Sequence, residues 1–138
     1  QLGTAPTGNG RRESSRRKAY SRMTNTFFEK GTDKLEKMIA SIKHGYMLFE
    51  TNNGMEDPKN WAIQCVAEYG IEIVDGKLTE NYVSPVVMSG YVPDLLKSIS
   101  MISDDFEISG AGSCGKGYKE WVRVSDGGPA LKARVKLG

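Results

Sequence analysis

The chain has 138 residues, 38% hydrophobic and 26% charged, with 16 glycines, which is the size and balance of one globular domain with a single core and many turns. A formal net charge of +2, from 19 Lys and Arg against 17 Asp and Glu, marks out no polyanionic or cationic partner. The sequence shows no apolar run near the roughly 18 residues of a membrane helix and no charged-then-apolar leader, so neither a helical membrane span nor a signal peptide is expected.

The chain opens without an initiating Met, as a piece cut from something longer would. Residues 1–22 read as a basic loop or arm. Pro6, Gly8, Asn9 and Gly10 break regular structure, and Arg11, Arg12, Arg16, Arg17, Lys18 and Arg22 face the single anion Glu13. Such a run is either a solvated arm or a phosphate or carboxylate contact. Residues 23–138 form the domain proper. It begins with a short strand, Thr24 to Phe28, where β-branched and aromatic content rises. A helix follows from Asp33, whose spacing to Glu36 makes a capping box. Leu35, Met38, Ile39 and Ile42 fall on one helical stripe. Lys43 and His44 suit the last turn, where the dipole favours cations, and Gly45 is the stop. On this placement His44 is a helix-end residue.

Tyr46 to Glu50 reads as a strand ended by Asn52-Asn53-Gly54. From Trp61 to Tyr69 apolar residues alternate, and Cys65 lies on the apolar face as a buried thiol. Gly70 marks a bulge before Ile71 to Val74, and Asp75-Gly76 is a two-residue hairpin turn into Lys77 to Val83. Val86 to Met88 resumes the meander after Pro85. Pro93 at a first helical position opens a second helix with Leu95, Leu96, Ile99 and Ile102 on one stripe, ended by Asp104 and Asp105. Phe106 to Ile108, Trp121 to Ser125 and Ala130 to Leu137 are closing strands, the last with Leu131, Ala133, Val135 and Leu137 on its buried face. The expected fold is α+β, a mainly antiparallel, barrel-like meander with two short helices.

Between two of these strands lies Gly110-Ala111-Gly112-Ser113-Cys114-Gly115-Lys116-Gly117. Four glycines in eight residues lower both helix and strand propensity, so a loop with a thiol at its centre is expected. Cys114 has three readings by chemistry alone: a small buried hydrophobe, a nucleophile, or a metal ligand. A nucleophile wants a His or Asn partner, and the only histidine, His44, is on another element. A metal needs further ligands that the chain does not obviously supply. Two cysteines, Cys65 and Cys114, fit free thiols in a reducing cytoplasm.

Taken in order, Gly8-Asn9-Gly10-Arg11-Arg12-Glu13-Ser14, Arg22-Met23-Thr24-Asn25-Thr26, the helix from Asp33, Asp75-Gly76-Lys77, Pro93-Asp94-Leu95-Leu96 and Ser113-Cys114-Gly115-Lys116 carry a resemblance. Over nearly its whole length the sequence resembles the C-terminal part of the TldD/PmbA family, metallopeptidases once described as modulators of DNA gyrase. The resemblance implies a zinc-dependent peptidase acting on extended peptide or unfolded protein. In the family's active member a His-Glu-x-x-x-His motif upstream supplies two ligands and the catalytic Glu. A cysteine similar in position to Cys114 supplies the third. It also implies substrate contacts at Gly112, Ser113, Gly115, Arg22 and Asn25 and a homodimer or a TldD–PmbA-type heterodimer. The lack of an apolar run argues against a membrane partner, and nucleic acid is the less favoured one, since only Tyr20 lies among the arginines.

The sequence departs from the full pattern. It has one histidine and no His-Glu pair, so no catalytic residue lies in this chain and zinc must be completed from outside it. The presence of Cys114 argues for the metal-binding, TldD-type member. A second class of function stays open beside this one: a non-catalytic binding module contacting nucleic acid or a DNA-gyrase-related partner through the arm from Arg11 to Arg22.

Overall fold

The computed structural model describes residues 3, 5, 7–116 and 120–138. In chain order the elements are β1 (Gly10–Arg11), β2 (Tyr20–Ser21), α1 (Leu35–Ala40), β3 (His44–Asp57), β4 (Ala62–Val74), β5 (Lys77–Val83) and β6 (Val86–Tyr91). They continue with α2 (Val92–Ser98), β7 (Met101–Ile102), β8 (Glu107–Lys116), β9 (Glu120–Gly128), β10 (Leu131–Lys132) and β11 (Lys136–Leu137). These elements divide between two compact units, Gln1–Glu29 with Phe106–Pro129, and Lys30–Asp105 with Ala130–Gly138. The fold is α+β with antiparallel ladders throughout, and the main sheet keeps an open path, β11-β6-β4-β3, with β5 on β4.

In the second unit β4 is the axis. It pairs with β3 along its whole length, from His44 opposite Val74 to Asp57 opposite Ala62. Its other edge is shared: β6 takes Ala62 to Ala67, and β5 takes Gly70 to Val74. The two strands expected on either side of Gly70 are therefore one. Gly70 serves a close approach instead of a bulge, since a Cβ there would lie 2.9 Å from Leu48 Cδ2, and the irregularity falls one step on, between Ile71 and Ile73. Met38, Ala67, Ile73 and Val86 are buried and form the apolar centre.

Both ends of α1 differ from the sequence expectation. Its N-cap is Lys34, with no side-chain cap. The Asp33 carboxylate accepts instead from Ile102 N (3.0 Å), and Asp33 bridges in parallel to Ser103. Tertiary pairing has displaced the capping box, and Lys34 is ion-paired with Asp104. At the other end Ser41 closes the helix with Oγ donating to Met38 O at 2.6 Å. The next two carbonyls, of Ile42 and Lys43, accept from Gly76 N and Asp75 N, both at 2.8 Å. The β4–β5 turn thus docks on the helix end and takes the bonds that another helical turn would need, so His44 starts β3 instead of ending α1. The turn itself is as expected, with φ of +47° at Asp75 and +77° at Gly76.

The closing strand expected from Ala130 to Leu137 is split into β10, beside β7, and β11, beside β6. Arg134 N donates to Ser98 Oγ at 2.9 Å between them, which removes that amide from any ladder. Leu131 is exposed. Ser103, fully buried, is satisfied by Ala130: its Oγ accepts from Ala130 N (2.7 Å) and its N donates to Ala130 O (3.0 Å).

The first unit is built on the β8–β9 ladder, which runs from Glu107 opposite Gly128 to Lys116 opposite Glu120. Val122 and Val124 on β9 are buried. The basic segment supplies the β1–β2 ladder. Thr24 to Phe28 forms no strand: Asn25 Oδ1 takes the Ser125 amide (2.9 Å), and Phe27 packs edge-to-face on Phe106 with centroids 5.3 Å apart. No helix among the described residues is long and apolar enough to cross a membrane.

Two outcomes check this description. A Cβ at Gly76 would sit 2.7 Å from Ala40 O in a backbone region L-residues avoid, so Gly76→Ala should destabilise by about 2 kcal/mol or more in urea unfolding. An unchanged midpoint would contradict the docked turn. Glu72 accepts from Asn81 Nδ2 (2.7 Å), contacts His44 Nε2 (3.3 Å) and accepts from Thr79 (3.4 Å). These bonds, that from Asn81 foremost, hold its carboxyl below the ordinary glutamate range. A depressed carboxyl contributes stability that is present above its unfolded pKa and lost as pH falls through the folded one. Melting temperature should therefore drop below about pH 4.3 by more in the native chain than in Glu72→Gln; equal drops would remove Glu72 from the acid limb.

Candidate functional site

The glycine-rich run is a strand, not the expected loop: up to Lys116 it belongs to β8, while Gly117 lies outside the described residues. Low intrinsic propensity is overridden by cross-strand packing that only glycine admits. A Cβ on Gly112 would stand 2.7 Å from Asp126 Oδ1, and one on Gly115 2.9 Å from the Trp121 ring. Side chains of β9 lie over the bare backbone of β8. The register shifts between Ser109 and Gly112.

Cys114 stands opposite the buried Val122. Its thiol is free and half-buried, and its nearest polar neighbour is Gly115 O at 3.9 Å, a weak contact. Ser113 and Gly115 flank it on exposed backbone, and Gly112 is half-buried. Among the described residues β8 pairs with β9 alone, so its other edge carries no strand.

Arg22 and Asn25, the other two expected contacts, are drawn into the same ladder. Arg22 is 3% exposed. Its Nη2 donates to Cys114 O and, at 3.1 Å, to Glu120 O, one carbonyl on each strand. Asn25 occupies the Ser125 amide. Two further residues, from runs the sequence singled out without giving them this task, support the arrangement. Arg11 donates to Met23 O (2.9 Å) and Arg123 O (2.6 Å), tying residues 112 apart in the chain. Lys116 Nζ donates to Ser21 O at 3.3 Å and lies 5.5 Å from the Tyr20 ring centroid.

Metal-ligating side chains do not converge: no group of three or more His, Cys, Asp or Glu among the described residues could hold an ion. Cys65 is half-buried on β4 between β3 and β6, and burial pushes its thiol pKa up. His44 is engaged with Glu72. Among the described residues, then, no side chains gather into a metal centre. A shallow 450 Å³ hollow beside β4, lined by Met55, Asp57, Ile63 and Ser89 among others, brings neither Cys nor His to a centre.

Comparison with known proteins follows this geometry. The sequence profile described as the PmbA/TldA metallopeptidase C-terminal domain matches residues 1–136. The chain is 35% identical over 138 residues to a zinc metalloprotease TldD homolog of Saccharolobus solfataricus, covering 99% of this chain and 30% of the relative. It is 33% identical to a metalloprotease of Methanothermobacter thermautotrophicus, over 97% of this chain and 29% of that protein. Among solved structures, TldE from Thermococcus kodakarensis superposes with a TM-score of 0.68 at 21% identity, over 98% of this chain and 28% of that one, a likeness of fold. The chain thus spans under a third of the length of the curated relatives it matches.

The two thiols should separate in reactivity. Cys65 sits in a strand paired on both sides with its pKa raised, whereas Cys114 lies in a two-stranded ladder. A maleimide at neutral pH should modify Cys114 first, as read by mass spectrometry of the digest. Faster modification of Cys65 would contradict the placement of Cys114 on an approachable strand.

Proposed function

From the premise that the chain belongs to the TldD/PmbA metallopeptidase family as its C-terminal domain, we propose that it serves a zinc-dependent peptidase. It supplies one zinc ligand, the Cys114 thiolate, and part of the surface that receives an extended peptide. The observation that carries this reading is a free, half-buried thiol on a strand that, among the described residues, is paired along one edge only. A thiolate is a soft donor suited to zinc. The remaining ligands come from polypeptide outside these 138 residues. When bound, zinc supplies Lewis acidity toward a peptide carbonyl and the water that attacks it.

What this chain's own residues do is narrower. The unpaired edge of β8 offers backbone N–H and C=O groups to an extended peptide, which adds as a further strand. Gly112, Ser113 and Gly115 keep that approach free of bulky side chains. Arg22 and Asn25 brace the ladder behind it. Assembly as a homodimer or a TldD–PmbA-type heterodimer, and a reducing cytoplasm in which Cys114 stays a thiol, belong to the same proposal.

In the full-length polypeptide, Cys114→Ala should lose most bound zinc and, with it, cleavage of an unstructured peptide, while circular dichroism and melting change little. A site reduced from three protein ligands to two binds zinc far more weakly. Stoichiometric zinc and full cleavage in the variant would overturn the ligand assignment.

A further inference from the structure

We infer that Arg22 is a positioning residue for the Cys114 thiol, acting through the backbone of the strand that carries it; this rests on the reading of Cys114 as a zinc ligand. The guanidinium is buried at 3% exposure, and one nitrogen, Nη2, bonds the carbonyl of Cys114 itself and that of Glu120 on the facing strand. Cys114 is opposite Val122 and Lys116 opposite Glu120, so the two carbonyls belong to residues two register positions apart on opposite strands. A single planar, rigid donor therefore spans the ladder at the residue whose side chain matters.

Nε and Nη1 of Arg22, and Oε2 of Glu120, are buried with no partner among the described residues. A buried cation using a fraction of its donors costs free energy. What an apolar replacement cannot supply is the pair of bonds. β8 between Gly112 and Gly115 has glycine on both sides of Ser113-Cys114, the backbone with most conformational freedom to lose. Within that stretch the Cys114 carbonyl is held both by its strand and by Arg22. Arg22 is itself seated: its amide donates to Asn9 O at 2.8 Å, next to the β1–β2 ladder. The basic segment thus has an inward task, distinct from a solvated arm.

A ligand fixed through its backbone gains affinity because less freedom is lost on metal binding, and outer-shell partners of metal ligands are typically worth 10- to 100-fold in affinity. The test uses the full-length protein with Arg22→Met, Arg22→Lys and Cys114→Ala beside the native sequence. Arg22→Met should stay folded, as read by circular dichroism, yet bind zinc roughly 10- to 100-fold more weakly. In the metal-free protein its Cys114 should react faster with a maleimide, and the amides of Cys114–Lys116 and Glu120–Val122 should exchange hydrogen faster while those of β3 and β4 do not. Arg22→Lys, which keeps a donor, should recover part of each change. Native zinc affinity and native exchange in Arg22→Met would overturn the positioning role, as would equal loss of protection throughout both units. Zinc retained by Cys114→Ala would instead overturn the ligand reading beneath it.

Discussion

One backbone ladder, β8 against β9, carries Cys114 and the strand edge that the proposed function assigns to a metal and a peptide. Its strands come from adjoining parts of the chain, but what holds it comes from a segment some 90 to 110 residues earlier: Arg22 on Cys114 and Glu120, Asn25 on Ser125, Arg11 on Arg123, and Ser21 accepting from Lys116. Each bond joins a side chain to a main-chain group, and only that of Lys116 uses a side chain of the ladder itself. That leaves Ser113 and Cys114 free to be chosen for chemistry.

The second unit stands on a different principle. Its stability rests on β4, paired on both edges and capped by an Asp75-Gly76 turn that satisfies the last carbonyls before His44. Local structure and tertiary pairing reinforce each other there, as expected of a minimally frustrated element. In the first unit they disagree: glycine-rich sequence with poor strand propensity is held extended from outside. Such a disagreement is common where a backbone must be both exposed and exact in position.

The same contrast decides what could be read from the sequence. Alternation from Trp61 to Tyr69, the Asp75-Gly76 hairpin and the strand from Lys77 to Val83 were legible, because side-chain alternation and a φ > 0 turn are local effects. So was the start of α2 at Pro93, but not its end: the helix stops at Ser98, and Ile102, expected on its stripe, lies in β7. The end of α1 was not, since the carbonyls of Ile42 and Lys43 bond to a turn more than 30 residues on. Thr24 to Phe28 misled because apolar content without a pairing partner is not a strand. At the site, Cys114 was legible as a candidate, but its setting was not. Gly112 and Gly115 are explained by the Asp126 and Trp121 side chains they lie beneath, and the inward course of Arg22 depends on a partner 92 residues away.

The central claim is that Cys114 donates its sulfur to zinc. X-ray absorption at the zinc edge of the full-length protein tests it most directly, because sulfur and nitrogen or oxygen scatter at distinguishable distances. We expect one sulfur at about 2.3 Å among lighter ligands near 2.0–2.2 Å, and its disappearance in the zinc that remains bound to Cys114→Ser. A shell with no sulfur in the native protein, or a sulfur that persists in Cys114→Ser, would contradict it.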